Sequence, residues 1–219
     1  MRCGGVCSPP KGSLLVRDGM ALPSAAQPGG RAPAPGRLAL VQSFANTFYD
    51  LTPGRHGADV LSSPAALAAW LGERGLISPA ARLEHPDLER ALALRDALRE
   101  LLHAGAHGDP EPGPSLERVD QLGRGACVEV RLDPSGPRFV SPDQASIEGA
   151  IGVLIAIMAT AMIDGTWWRM KVCPGRDCGW AFYDHSRNHA GRWCSMSVCG
   201  GREKARAHYH RRRGQGEGE

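Results

Sequence analysis

Four cysteines near the C-terminus constrain the fold of this chain more than any other feature. Cys173 and Cys178 form one C-x4-C pair, Cys194 and Cys199 form a second, and fifteen residues separate the two pairs. Two short turns that each supply two thiolates are a common way to build a closed, tetrahedral zinc site. The spacing therefore predicts one structural Zn²⁺ ion held by all four cysteines.

The residues alone leave two alternatives to this site. His185 or His189, which lie between the pairs, could replace one of the cysteines. A catalytic or redox zinc is disfavoured, because four protein ligands leave no open position for water. A module of this size buries too little apolar surface to fold alone, so the metal is expected to supply its stability.

The residues around the cysteines predict a knuckle, a hairpin and a helix in that order. Proline follows the first cysteine and glycine the second, as a sharp turn around a metal requires. Strands are expected near residues 167–172 and 179–184, and a helix from the second pair to about residue 213. The expected miniature core is Trp180, Phe182 and Trp193, and the expected packed face of the helix is Val198, Ala205 and Tyr209.

Positive charge is concentrated in the same region. Residues 171–213 hold ten basic and three acidic residues, whereas residues 1–170 hold 16 basic and 18 acidic ones. A basic patch attracts phosphate backbones, although a solvated basic tail is the simpler interpretation. The candidate nucleic-acid contacts are Arg187, Asn188, Arg192, Arg202, Lys204, Arg206, Arg211, Arg212 and Arg213.

The rest of the chain divides by composition into a leader and a body. Residues 1–37 are rich in Gly, Pro, Ala and Ser and predict a disordered leader, and residues 214–219 predict a flexible tail. Residues 38–165 predict a mainly helical domain with one β-hairpin, in which Cys127 is expected to be buried. Asn46 is the one polar residue in an apolar context there that could reach a ligand pocket, although a structural hydrogen bond is the favoured role.

Local signals place several elements within this body. Ser63 and Pro64 read as the N-cap and first position of one helix, and residues 87–105 carry the strongest helical periodicity. A further helix is expected at residues 116–122. Residues 127–132 alternate apolar and charged side chains before a turn, which predicts the hairpin. Ser141 resembles the N-cap of the next helix.

Two classes of protein are disfavoured by the same reading. The body shows no catalytic motif, so no enzyme is predicted. The longest uncharged run, residues 149–163, is shorter than the roughly 18 to 20 residues of a membrane span and predicts a buried helix. No secretory signal is recognisable, and clustered cysteines in a reducing compartment favour metal over disulfide. The expected location is the cytoplasm.

The C-terminal motif resembles that of a known family. The run from Cys173 to Ala205, with Cys-x4-Cys, Asp-x-Ser-Arg-Asn, Arg-Trp-Cys-Ser-Met and Cys-Gly-x-Arg-x-Lys-Ala, is similar to the CGNR-type zinc finger. Residues 38 to about 165 resemble the ABATE domain that precedes this finger, through Phe44-Ala-Asn-Thr47, residues 63–71 and Leu94-Arg-Asp-Ala-Leu98. The chain departs from the family motif at Gly201, where the family has asparagine.

This resemblance implies an α+β protein and a function. The fold would be a mainly helical N-terminal domain with a small hairpin, followed by a treble-clef-like four-cysteine finger at residues 166–213. The family implies a stress-induced bacterial transcription regulator that binds nucleic acid, DNA in preference to RNA. Its helical domain would sense a signal or form a homodimer. The alternatives are a zinc-stapled protein-interaction module and an RNA-binding protein.

Overall fold

The computed structural model describes residues 27–48, 59–107, 113–134, 136–176 and 178–214. Apart from three short helical turns (Pro28–Gly30, Trp167–Arg169 and Met196–Gly200), the elements of these residues, in chain order, are α1 (Leu38–Ala45), α2 (Pro64–Glu73), α3 (His85–His107), α4 (Gly113–Gly123), β1 (Glu129–Asp133), β2 (Gly136–Val140), α5 (Ile147–Ile163), β3 (Met170–Val172), β4 (Ala181–Tyr183) and α6 (Gly201–Gly214). The predicted α+β class is confirmed.

Helix α2 begins where local sequence chemistry dictates. The Ser63 hydroxyl accepts a hydrogen bond from the Ala66 amide at 3.1 Å, and Pro64 occupies the first helical position. Serine satisfies an amide that lacks an intrahelical partner, and proline has no amide to satisfy there. The apolar stripe Leu67, Trp70 and Leu71 is buried. Both the predicted cap and the predicted stripe are therefore confirmed.

Helices α3 and α5 form the centre of the N-terminal domain. Leu94, Ala97 and Leu98 of α3 are fully buried, as its periodicity predicts. Helix α5 is apolar on nearly every side and packs against α1, α3, α4 and β2. A helix with so wide an apolar surface is stable only when neighbours surround it. In the described part of the chain, no helix is long and apolar enough to span a membrane.

Helix α5 starts later than the sequence predicts. Its N-cap is Ser146, whereas the sequence pattern predicts a cap at Ser141. Ser141 instead closes a turn, in which its hydroxyl accepts from the Asp143 amide at 3.1 Å and donates to the Asp143 carbonyl at 2.8 Å. Serine before proline suits a turn as well as a cap, so the local pattern alone does not distinguish the two roles.

The predicted hairpin is present, but its burial differs from expectation. Strands β1 and β2 are antiparallel, with Val130 opposite Phe139 and Leu132 opposite Pro137. Val130 and Leu132 are 60% and 84% exposed, so the apolar face of β1 is open to solvent. Cys127 is exposed as well. The prediction of an ordinary buried thiol at this position is wrong.

The segment before α1 is ordered against the finger, contrary to the expected disorder of residues 1–37. A 3-10 turn, Pro28–Gly30, follows Gln27, and Arg31 donates to the carbonyls of Tyr183 and Trp193 at 3.1 and 3.0 Å. Its guanidinium also lies 4.7 Å from the Phe182 ring centroid. These long-range contacts hold residues 27–37 in one conformation against the finger. The remaining leader, residues 1–26, and the tail, residues 215–219, lie outside the described residues.

Candidate metal centre and nucleic-acid interface

The first cysteine pair lies on a tight turn between β3 and β4. The Cys173 amide donates to the Trp180 carbonyl at 2.9 Å, and the Cys178 amide donates to the Gly175 carbonyl at 3.0 Å. Gly179 has φ +59°, a conformation that glycine adopts without strain. A side chain at Gly175 would approach the Cys199 sulfur to 3.2 Å. The turn is therefore shaped to bring the two sulfurs toward those of the second pair.

The second pair precedes α6 through a single π-helical turn, Met196–Gly200. The Ser195 carbonyl accepts from the amides of Cys199 and Gly200, both at 3.0 Å, and its hydroxyl accepts from the Val198 amide at 3.3 Å. Such wide turns recur at functional sites, where they reposition a side chain. Here the turn carries Cys199 into the cluster. The predicted order of knuckle, hairpin and helix is present.

The four sulfurs form one compact group with the geometry of a zinc site. All four lie within 4.8 Å of one another, and all four cysteines are buried. The sulfur of Cys194 lies 3.7 Å from that of Cys178 and 3.6 Å from that of Cys199. Four sulfurs at about 2.3 Å from a tetrahedral zinc are about 3.8 Å apart. The site therefore fits one structural Zn²⁺ ion, held by Cys173, Cys178, Cys194 and Cys199.

The histidine alternative finds no support in this arrangement. Nε2 of His185 lies 3.2 Å from the Ala32 carbonyl oxygen and 3.0 Å from that of Pro33, on the ordered segment before α1. His189 is exposed in the loop that follows β4. Among the described residues, the group able to hold a metal consists of the four cysteines.

The four closely spaced thiols strongly perturb one another's pKa values. Hydrogen bonds from Cys178 and then Cys194 lower the pKa of Cys173 to about 2. Donation to Cys173 raises the pKa of Cys178 to about 12 and also raises the pKa of Cys194, while burial raises the pKa of Cys199. Several thiolates cannot coexist at this spacing without a positive ion. Zinc allows all four to ionise and releases their protons.

The predicted miniature core is confirmed, whereas the predicted packed face of α6 is largely wrong. Trp180 and Phe182 are buried beside the sulfurs, and Trp193 and Val198 pack against them. Ala205 is exposed and Tyr209 is 56% exposed. Helix α6 therefore packs on the finger only near its start. Most of its length projects into solvent, because apolar spacing on a helix does not itself provide a surface to pack against.

Asp184 organises the loop that follows β4. Its carboxylate accepts from the Lys171 ammonium at 2.8 Å, the Ser186 amide at 3.0 Å and hydroxyl at 2.6 Å, and the Gly191 amide at 2.7 Å. Burial opposes ionisation of this carboxyl, but these hydrogen bonds outweigh it and lower the pKa of Asp184 far below its ordinary value. The carboxylate is therefore ionised wherever the zinc thiolates exist.

The structure places the predicted nucleic-acid contacts on two elements of the finger. Arg187, Asn188 and Arg192 are exposed in the loop that Asp184 organises, and Arg202, Lys204, Arg211 and Arg212 are exposed on α6. Arg206 is half-buried and pairs with Glu203 at 2.7 Å. Arg213 lies within α6, and its side chain is outside the described residues. The three exposed loop residues and the four exposed α6 residues are therefore accessible to a partner.

The Asn46 side chain joins the two domains. Its amide donates to the Ala181 carbonyl at 2.8 Å, and its carbonyl oxygen accepts from the Ala181 amide at 2.7 Å. The side chain is buried and thus extends the β4 edge as a neighbouring strand would. The favoured structural hydrogen bond is present, and the speculative pocket role of Asn46 stays a prediction.

Two further side chains complete this junction. Gln42 donates to the same Ala181 carbonyl at 3.1 Å and to Oε1 of Gln27 at 3.0 Å. Arg99 of α3 donates to the Ala45 carbonyl at 2.9 Å and to the Gly179 carbonyl at 3.0 Å. Sequence reasoning missed Gln42 and Arg99, because their partners in the finger lie 80 or more residues away in the chain. Only the polarity of Gln42 in an apolar helix offered a signal.

The junction predicts the effect of replacing Asn46 with alanine. The change leaves the buried Ala181 amide without a partner, so we expect a loss of about 1–3 kcal/mol in the free energy of unfolding. Denaturant titration of the zinc-loaded chain measures this loss. The matched control is Asn188→Ala in the exposed loop, which should change stability by less than about 0.5 kcal/mol. Equal stabilities of the two variants would contradict the junction role.

The fold and the cysteine cluster define a zinc-finger protein with a helical N-terminal domain. Family comparison agrees. Residues 36–165 match the ABATE family, described as "Putative stress-induced transcription regulator", and residues 169–212 match the CGNR zinc finger. Because the first match spans more than half of the 219 residues, the chain belongs to the ABATE family. Neither family is an enzyme family. No curated protein matches the chain with significant similarity.

The departure from the family motif at Gly201 is tolerated by the fold. Gly201 is exposed and helical, and a β-carbon there would lie 3.4 Å from the Met196 carbonyl oxygen. That distance is an ordinary contact, so an asparagine side chain would fit at this position. Gly200 differs, because a β-carbon there would meet the Met196 sulfur at 2.8 Å. The glycine at 200 is therefore more tightly constrained by its surroundings than the one at 201.

Proposed function

We propose that this zinc-binding member of the ABATE family is a DNA-binding transcription regulator whose finger contacts the nucleic acid. The observation that carries the proposal is the set of exposed cations on the loop after β4 and on α6. Among the described residues of the finger, the acidic side chains offset few of these cations, because Asp184 is buried against Lys171 and Glu203 pairs with Arg206. The remaining positive charge faces solvent on a metal-stapled scaffold. Such a surface attracts a phosphate backbone.

The distribution of these cations favours backbone contacts over base reading by most of them. Arg202 and Arg206 are one helical turn apart on α6, whereas Lys204 and Arg211 project from a different side. Charges on several sides of a helix reach phosphates on both walls of a groove more readily than one row of bases. The loop supplies the residues suited to base edges, since arginine bonds guanine and asparagine bonds adenine.

The N-terminal domain is assigned a sensing or dimerising role in this proposal. Asn46, Gln42 and Arg99 attach the finger directly to α1 and α3. A ligand or partner that shifts α1 would therefore shift β4 and the loop that follows it. This direct attachment supports communication between the two domains. A regulator of this kind would act in the cytoplasm.

The test is salt-dependent retention of the full chain on duplex DNA. In the variant Arg202→Ala/Lys204→Ala/Arg211→Ala, the slope of log affinity against log salt should fall by about 0.9 for each phosphate that the variant no longer neutralises. The matched control replaces three arginines that are exposed on the N-terminal domain, Arg82, Arg118 and Arg124. It should leave the slope unchanged. Equal retention of both variants would contradict the proposal, and preferential retention on RNA would reassign the ligand.

A protein partner for α6 is the second candidate. Met196 and Tyr209 are 54% and 56% exposed beside the basic side chains, and aromatic and methionine side chains are enriched at protein interfaces. Under this alternative, the pure chain would ignore both DNA and RNA but bind an acidic protein. Retention on DNA that depends on the α6 cations would argue against it.

A further inference from the structure

One face of the hairpin formed by β1 and β2 is apolar, and it extends beyond the packed part of the N-terminal domain. Val130 and Leu132 of β1 share this face with their cross-strand partners Phe139 and Pro137. At the base, a β-carbon on Gly152 of α5 would lie 2.8 Å from Val128, so the face starts against α5. Val130 and Leu132, at 60% and 84% exposure, lie beyond that support. This part of the face has no cover within the described residues.

Strand β1 also presents a free edge. Among the described strands its partner is β2 alone, in a two-stranded sheet. An unpaired edge exposes backbone donors and acceptors, and natural proteins usually protect it with charged side chains, lysine above all, or with proline or a bulge. The charges of β1 are of both signs, so they can pair with a second copy of the strand. The sequence of β1, Glu-Val-Arg-Leu-Asp, holds no lysine or proline. The strand therefore combines an open edge with an open apolar face.

The charges of β1 make this edge complementary to itself. In an antiparallel two-fold pairing centred on Val130, Glu129 lies opposite the partner's Arg131, and Arg131 lies opposite the partner's Glu129. Leu132 then lies opposite the partner's Val128 on the apolar face. Centring the pairing on Leu132 also matches charges, but it runs into the turn at Pro134 after fewer residues. The register centred on Val130 uses the whole strand.

We propose that the chain forms a homodimer through β1, in which two hairpins join edge to edge in a four-stranded antiparallel sheet. The interface is isologous, because the same strand contributes both halves. Backbone hydrogen bonds supply attachment, and the Glu129–Arg131 pairs fix the register. This proposal rests on the dimerising role assigned to the N-terminal domain. It does not depend on whether the finger binds DNA.

The first test is the mass of the full chain in solution as a function of concentration. We expect twice the chain mass of 23.4 kDa for the native sequence and a loss of half that mass in Leu132→Lys. The matched control is Ile163→Lys at the end of α5, where isoleucine is 86% exposed outside the hairpin. This variant should remain dimeric. A monomeric native chain at every concentration, or equal masses for the two variants, would overturn the proposal.

Charge reversal provides the sharper test. Glu129 and Arg131 also pair within one chain at 3.2 Å, so a double reversal in one chain would not isolate the interface. Glu129→Arg and Arg131→Glu as single variants each place like charges across the two-fold axis, and self-association should weaken by at least about tenfold. Mixing the two variants pairs every charge with its opposite across the interface, although neither chain regains its internal pair.

We therefore expect the mixture to form heterodimers while each variant alone is mainly monomeric. Failure of the mixture to associate would overturn the register and the proposal with it. Retention on duplex DNA is measured on the same samples, since a monomer keeps the finger intact. A native chain that is monomeric at every concentration but is still retained on DNA would refute this inference alone, and a dimeric native chain that is not retained would refute the DNA-binding proposal alone.

Discussion

Replacement of Cys194 with serine is expected to release the zinc ion and unfold the finger. The Cys194 sulfur is fully buried and lies close to two other ligand sulfurs, 3.7 Å from Cys178 and 3.6 Å from Cys199. Serine is a poor zinc ligand, and zinc binding supplies about 10–16 kcal/mol in isolated finger peptides. Most of that energy should be lost. Trp180 and Phe182 would then lose the cluster that buries them.

Two measurements check this result. The zinc content should fall from one ion per chain to near zero, and salt-sensitive retention on DNA should disappear. The matched control is Cys127→Ser, because Cys127 is exposed and lies outside the cluster. It should keep one zinc per chain. The core of the N-terminal domain belongs to a buried cluster that is distinct from the one around the sulfurs, although this cluster also includes residues 167, 170, 172, 181 and 183 of the finger. Much of the helical signal should therefore survive in Cys194→Ser. Full zinc content in that variant would contradict the four-cysteine site.

Replacement of Asp184 with alanine is expected to be the most destabilising change in the finger outside the metal ligands. It removes a buried carboxylate and leaves the Lys171 ammonium, whose side chain is only 14% exposed, without its charge partner. Breaking a buried ion pair from one side costs about 3–5 kcal/mol. The Gly191 amide also loses its acceptor, so the loop with Arg187 and Arg192 should lose its fixed course.

Denaturant unfolding of the zinc-loaded chain measures this cost at neutral pH. The pKa of Asp184 lies below its unfolded value, near 3.9 for an aspartate. Its contribution is therefore fully present at neutral pH and is lost only as the pH falls below about 4. Asp120→Ala, an exposed change in the middle of α4, should cost less than about 0.5 kcal/mol. Similar costs for the two variants would refute the role of Asp184.

Features set by residues close in sequence were predictable. The spacing of the cysteines predicted the metal cluster, since two short turns determine where four sulfurs lie. Ser63 and Pro64 fixed the start of α2 by capping chemistry that acts within one helical turn. The alternation before Asp133 predicted the hairpin. In each case the interacting residues lie close together in the sequence, so the local sequence pattern is enough to predict the structure.

Features set by distant partners were not predictable. Asn46 bonds to Ala181, 135 residues away, and no local pattern names that partner. Arg31 reaches Trp193 across 162 residues, so its Gly/Pro-rich surroundings read as disorder. Whether a side chain is buried also depends on which distant part of the chain packs against it. Leu132 lies on the apolar stripe of β1, but no layer of the described fold covers that stripe. Cys127 precedes this strand and is exposed as well.

The contacts of Gln27 and Arg31 mean that the folding unit of the finger is not contiguous in sequence. Trp180 donates to Gln27 at 3.0 Å, and Arg31 holds the carbonyls of Tyr183 and Trp193 at the two ends of the loop between β4 and the second cysteine pair. A shortened protein starting at residue 36, where the family match begins, would keep all four sulfurs yet lack these contacts. During synthesis, residues 27–31 leave the ribosome long before the cysteines do. The finger can therefore reach its complete form only after Cys199 has been made, although residues 27–31 are made much earlier.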